Sequence, residues 1–336
     1  MFTLEDLDAT RDLLRAFVAP TPQHRWPLLA DALGCDVWVK HENHTPTGAF
    51  KARGGVVYLA ELAQRRHPPV GLITATRGNH GQSIPFAAAH HHIPVTVLVP
   101  EGNSAEKNAA MAAWGATVEI VGADFDDARQ EAEQRSAKGD LELVPSFHEH
   151  IIRGVATYAF ELFSAVEGLD TVYVPIGMGS GICALIAVRD LLGLKTEIIG
   201  VVSKHADAVA RSVEAGRVVE TDSAATFVDG IACRVPHADA LAVISRGAAR
   251  IVRVSDDEVA AAVRLLYFAT HNVAEGAGAA ACAALDQDRE AMRGKRVAVI
   301  LTGGNIDTEW LATILGGGTP NIQRNIIAER ISVPKD

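Results

Sequence analysis

Cysteine is scarce and never paired. Cys35, Cys183, Cys233 and Cys282 are scattered with no Cys-x-x-Cys spacing. That argues against a disulfide framework or a zinc ribbon and leaves them as small buried apolar residues. No basic run occurs and the net charge is -10, so a nucleic-acid partner is not expected. No apolar run approaches the ~20 residues of a membrane span. The start, Met1-Phe2-Thr3-Leu4-Glu5-Asp6, lacks the apolar region of a secretory signal, and a cytoplasmic location is expected. There is no H-E-x-x-H, no Walker lysine, no internal repeat, no low-complexity linker and no charge block. His90-His91-His92 resembles a metal tract, but tandem histidines cannot all face one ion. They close a helical stretch before Pro94, where cationic side chains complement the dipole.

What is present suits a soluble enzyme of two domains or lobes: 336 residues, 48% hydrophobic and 21% charged. Strands and helices alternate. Strands are expected at 37–40, 71–75, 94–99 and 117–121, with helices at 52–66, 78–90, 104–114 and 124–137 between and after them. A second series follows, with helices at 154–166, 182–192 and 256–271 and strands at 171–176, 197–202 and 297–301. Glycine punctuates the end at Gly303-Gly304 and Gly316-Gly317-Gly318. This alternation predicts an α/β fold with mostly parallel sheets flanked by helices.

Chemistry is concentrated in a few turns. Lys51 stands in Pro46-Thr47-Gly48-Ala49-Phe50-Lys51-Ala52-Arg53-Gly54, after a Pro/Gly turn and at a helix entrance. A lysine removed from water there loses proton affinity and becomes a nucleophile, as Schiff-base chemistry requires. Phe50 reads as core or pocket wall. Gly177-Met178-Gly179-Ser180-Gly181 follows a strand and opens a helix. Its backbone N–H groups can converge on a phosphate, or it is simply a tight strand–helix turn. It is not the dinucleotide fingerprint, which needs G-x-G-x-x-G and an acidic partner on the next strand. In Thr76-Arg77-Gly78-Asn79-His80, a helix start offers donors to a carboxylate, and Asn79 is either a neutral donor to a ring oxygen or an N-cap. Thr302, in Thr302-Gly303-Gly304-Asn305, could face a ring nitrogen with a hydroxyl, which would leave that nitrogen largely unprotonated. Glu275 either faces the pocket or charges a helix start.

Together these segments resemble the fold-type II pyridoxal-phosphate enzymes, in particular the serine/threonine dehydratase (threonine ammonia-lyase) and serine racemase branch. The matching segments are 47–54, 78–82, 177–181, Asp229-Gly230-Ile231-Ala232 and 302–305, in family order over nearly the whole chain. The resemblance implies a two-domain, tryptophan-synthase-β-like fold. Residues 1–65 and 150–336 would form the large cofactor-binding domain and 66–149 a small mobile one. It implies pyridoxal 5'-phosphate on Lys51, with Phe50, Asn79, Gly177, Met178, Gly179, Ser180, Gly181, Thr302 and Glu275 around the cofactor. Thr76, Arg77, Gly78 and His80 would receive the amino-acid substrate. A homodimer is also implied. The implied reaction is removal of water from a β-hydroxy L-amino acid of the threonine/serine type, giving a 2-oxo acid and ammonia.

Some positions depart from the family pattern. Arg77 stands where serine racemases carry the serine that serves as second base, and a guanidinium cannot take that proton. Racemisation is therefore expected to be weak or absent. Val202 and Ala208 stand where that branch carries its acidic metal ligands, and neither can hold a hard cation. Trp26 precedes Pro27 where threonine is common. With Arg77 and Met178, it leaves room for a bulkier or acidic substrate such as 3-phenylserine or 3-hydroxyaspartate. A C-terminal regulatory domain, and with it family-type feedback control, is not expected.

Overall fold

The computed structural model describes residues 2–139 and 141–316. Met1, Asp140 and 317–336, including Gly317 and Gly318 and the end of the expected large domain, lie outside the described residues. The strands in chain order are β1 (Gln23–Arg25), β2 (Asp36–His41), β3 (Leu72–Ala75), β4 (Val95–Val99), β5 (Thr117–Ile120), β6 (Glu142–Leu143), β7 (Thr171–Pro175), β8 (Glu197–Ser203), β9 (Arg250–Val254) and β10 (Arg296–Leu301). They form a 6-stranded sheet of order β1-β2-β10-β7-β8-β9 and a 4-stranded sheet of order β5-β4-β3-β6. Only the β1–β2 pairing is antiparallel among the described residues.

The strand sequences explain this layout. β7 and β10 are runs of β-branched and aliphatic residues, buried almost end to end, as a strand covered on both faces by helices must be. Polar edges blunt the sheet: β1 is Gln-His-Arg, and β9, Arg-Ile-Val-Arg-Val, carries two arginines beside its buried valines. These edges and the two-residue β6 lack the apolar run that made the central strands predictable. The helix read from 154 begins earlier, spanning Glu149–Ala165 with His148 as its cap.

Register brings the site together. β10 lies between β2 and β7, pairing Leu301 with His41 and Val299 with Tyr173. The chain leaves all three strands at the same edge, the carboxyl end, where parallel sheets place their ligands. Those exits carry segments 42–51, 302–305 and 176–181. The exit of β3 in the other sheet carries 76–80. All four cysteines are buried and unpaired. Among the described residues no helix is long and apolar enough to cross a membrane.

Candidate active site

Lys51 is the first residue of the Lys51–Ala63 helix, and its approach segment is tied to the exit of β10. The Phe50 amide donates to the Thr302 carbonyl at 3.0 Å, and the Gly304 amide donates to the Gly48 carbonyl at 2.9 Å. Ala49 and Gly303 form a bridge between them. Thr45 closes the turn from inside, its hydroxyl donating to the Ala49 carbonyl at 2.7 Å. The helix then crosses the Glu149–Ala165 helix at backbone contact. A side chain on Gly154 would put its Cβ 2.3 Å from the Arg53 carbonyl oxygen, so glycine is required there.

Behind Lys51 lies a fully paired charge cluster. Arg53 is buried to 0% exposure. Its Nε donates to Glu42 at 2.8 Å, and its terminal nitrogens donate to both Glu161 oxygens at 2.7 and 2.8 Å and to Thr157 at 3.0 Å. Lys40 completes the group, donating to Glu161 at 2.6 Å and to the Thr21 carbonyl at 2.7 Å. The partner carboxylates outweigh burial and raise the Arg53 pKa. The cluster pins the first turn of the helix from the rear.

In front the pattern reverses. The half-buried Lys51 amine makes no hydrogen bond within the described residues and lies 5.2 Å from the Phe50 ring centre. Desolvation lowers its pKa to about 8, with Glu275 opposing the shift. Glu275 is the N-cap residue of the Gly276–Gln287 helix, but its side chain makes no capping hydrogen bond. Its Oε1 accepts from the Asn79 amide at 2.6 Å, so it faces the pocket. Burial pushes its pKa up to about 7 against the pull of Lys107 and the Asn79 hydrogen bond. Gly303 is where this carboxyl passes, since a Cβ there would sit 2.6 Å from Oε1. The helix cap is Gly78, not Asn79. Asn79 instead accepts from Asn305 at 2.8 Å while donating to Glu275. His80 is buried and its Nε2 has no hydrogen-bond partner among the described residues. Desolvation, with the Lys51 charge adding to it, lowers the His80 pKa to about 3, so its ring is neutral. Thr302 is buried and its hydroxyl makes no hydrogen bond among the described residues.

The 177–181 loop joins this group through Phe50. A Cβ on Gly181 would lie 4.0 Å from the Phe50 ring edge, and the Gly181 carbonyl accepts from the Tyr158 hydroxyl at 3.2 Å. Gly179 caps the Ser180–Leu191 helix with φ 101°. A Cβ on Gly177 would strike the Gly230 carbonyl oxygen at 2.4 Å. None of the backbone amides of residues 177 to 181 donates to a protein acceptor within the described residues. Met178 is partly buried, with its sulfur 3.9 Å from Cys233 Sγ, and Ser180 is buried.

Arg77 stands apart. Its side chain is 43% exposed, and its Nε lies 3.7 Å from Asp229. Thr76 holds the turn, its hydroxyl accepting from the Gly78 amide at 3.0 Å. Lys107 went unread in the sequence. It is mostly buried and lies 2.7 Å from the same Asp229. It follows the helix cap Ser104, where nothing local announces a lysine facing inward; only the long-range pairing shows it.

A family model described as Pyridoxal-phosphate dependent enzyme matches residues 14–303. The chain belongs to this family. Among its relatives, the L-threonine ammonia-lyase of Thermotoga maritima is 29% identical over 330 residues, 98% of this chain and 82% of that protein. The L-threo-3-hydroxyaspartate ammonia-lyase of Saccharomyces cerevisiae is 30% identical over 312 residues, covering 93% and 95%. The processed form of threonine deaminase isoform 2 from Solanum lycopersicum superposes with a TM-score of 0.86 at 27% identity, covering 94% of this chain and 92% of that one. As a pyridoxal-phosphate dependent enzyme, the chain has the two-sheet α/β architecture expected for it.

Proposed function

We propose that this protein is a pyridoxal-phosphate-dependent ammonia-lyase that removes water from a β-hydroxy L-amino acid of the threonine/serine type, yielding a 2-oxo acid and ammonia. One observation carries the reading. A Lys51 amine with a depressed pKa and no hydrogen bond among the described residues feels the charge of Glu275, whose ionisation burial opposes, and Phe50 links it to loop amides that are also unpaired among the described residues.

These residues fit the cofactor. The amides of 177–181 make a donor cradle that a Cβ on Gly177 would disrupt, suited to a phosphate dianion at a helix start. Lys51 would hold the aldehyde carbon, Phe50 would wall the ring, Asn79 would have its second amide N–H left for the ring oxygen, and Thr302 would offer its hydroxyl to the ring nitrogen. When bound, the cofactor supplies an electrophilic carbon and a conjugated ring that takes up electron density from the substrate.

The chain's own groups do the rest. Lys51 Nζ, with its depressed pKa, is free to take the Cα proton near neutral pH. Glu275, whose ionisation burial opposes, holds Asn79 in place while bringing less negative charge to the site than an ordinary carboxylate would. The turn 76–80 receives the substrate carboxylate on its backbone donors, and His80 remains an uncharged neighbour. With no side-chain cation, the 177–181 loop would hold a phosphate by backbone dipoles alone, which would leave that phosphate basic.

A substrate with a second carboxylate, 3-hydroxyaspartate, is a second reading. Arg77 favours it, because its guanidinium makes no hydrogen bond within the described residues. Arg77 also speaks against racemisation.

We take the 4-stranded sheet and its helices as the small domain, 66–149, and the remainder as the large one. A homodimer in the cytoplasm follows the family resemblance. The test is a panel of L-threonine, L-serine, L-threo-3-hydroxyaspartate and L-threo-3-phenylserine, assayed for both 2-oxo acid and ammonia. Stoichiometric release of both from at least one substrate is expected. Release from none, or D-amino acid without 2-oxo acid, would overturn the proposal.

A further inference from the structure

One ion pair links the turn before Asn79 to the 177–181 loop: Lys107 belongs to none of the motifs, and Asp229 opens the 229–232 segment, which the proposed site leaves without a role. Lys107 rises from the Ala105–Ala113 helix beside the smaller sheet, with its side chain 13% exposed and Nζ 2.7 Å from Asp229 Oδ2. Its stem passes beneath the turn that precedes Asn79, since a Cβ on Gly78 would lie 3.5 Å from Lys107 Cδ. Asp229 begins the short turn Asp229–Ile231. The next residue, Gly230, presents its carbonyl oxygen 2.4 Å from where a Cβ of Gly177 would sit. A Cβ on Gly230 itself would meet Ala277 at 2.6 Å, on the helix that follows Glu275. The peptide after Asp229 is thus wedged between the 177–181 loop and the Glu275 helix, with no slack on either side.

The same helix start is fastened to the segment after Thr302. The Ser104 hydroxyl donates to Asp307 at 2.6 Å, and the Thr308 hydroxyl donates to Glu106 at 3.0 Å. These contacts leave Lys107 little freedom to move away from Asp229. Arg77, farther from Asp229 and more exposed, is a weak substitute for it.

We infer that Lys107 and Asp229 form a positioning pair that holds the substrate turn 76–80 in register with the phosphate loop 177–181, and so sets affinity for cofactor and amino acid together. Neither residue touches the reacting atoms. The inference rests on the site assignments proposed above and adds to them two residues joined across the cleft between the sheets.

The experiment compares the holoenzyme with Lys107→Met, Asp229→Asn and the double variant. It reads the cofactor Kd by absorbance titration, together with KM and kcat for the best panel substrate, after circular dichroism has checked the fold. Each single change should raise both Kd and KM about tenfold, as loss of a charge-assisted contact does. The kcat should move less than about threefold. The double variant should be no worse than either single one, because the second change removes a partner already lost. A merely structural lesion would instead lower kcat through the active fraction and leave KM alone. Kd and KM both within about twofold in either single variant, or effects that multiply in the double, would overturn the inference. If Lys107→Met does not fold, Asp229→Asn, which keeps the side-chain shape, decides by the same limits. If wild type releases no 2-oxo acid from any panel member, the proposed reaction fails, while the Kd values still decide the role of the pair.

Discussion

Lys51 and Arg53 share one turn of helix and live under opposite rules. Arg53, Glu42, Glu161 and Lys40 leave almost no donor or acceptor unpaired. Their charges persist in the interior because each faces its opposite. Lys51, Glu275 and His80 are drawn instead toward neutrality by burial. The first group is an anchor and the second a reservoir of reactive groups. Only a helix pinned from the rear can keep an unpaired amine fixed at its front.

The largest effect should come from breaking the anchor. Arg53→Met leaves buried Glu42 without its cation and Glu161 with Lys40 alone, and should cost about 3–5 kcal/mol, read by denaturant unfolding. A loss below about 1 kcal/mol would mean that the rear cluster does not anchor the helix.

Glu275→Gln tests the front group by pH. In the folded, cofactor-free protein the carboxyl titrates near about 7 instead of 4.5. Between those values the folded chain keeps a proton that the unfolded chain has released. Stability from the neutral acid is therefore full below pH 4.5 and is lost as pH rises through 7, on the order of 3 kcal/mol in all. The glutamine variant should show a flatter decline over that window. Identical slopes in both proteins would place Glu275 outside the desolvated group.

The smallest effect is expected at the other arginine. Arg77 is 43% exposed and 3.7 Å from its partner, so Arg77→Ala should change stability by less than about 0.5 kcal/mol. A cost approaching that of Arg53→Met would erase the contrast between the two positions.

The sequence announced the front of the site better than the rear. Lys51, the 177–181 loop and the 302–305 exit sit at strand or helix ends, where glycine and proline mark the turn locally. Glu275 could not be resolved by local reading, because its orientation depends on Asn79, far away in the chain. Arg53 stood inside a recognised motif, yet its partners Glu42 and Glu161 come from elements that only folding brings together. Lys107 and Asp229 were missed as a pair for the same reason. In the fold, buried strands such as β7 and β10 were predictable from their apolar runs, whereas the polar edges β1 and β9 were not.

The most direct measurement is borohydride reduction of the cofactor-loaded protein, followed by peptide mass mapping. The account predicts the reduced cofactor on the peptide containing Lys51, with no label in Lys51→Ala and no turnover from that variant. Label on another lysine such as Lys40 or Lys107, or full activity in Lys51→Ala, would contradict it.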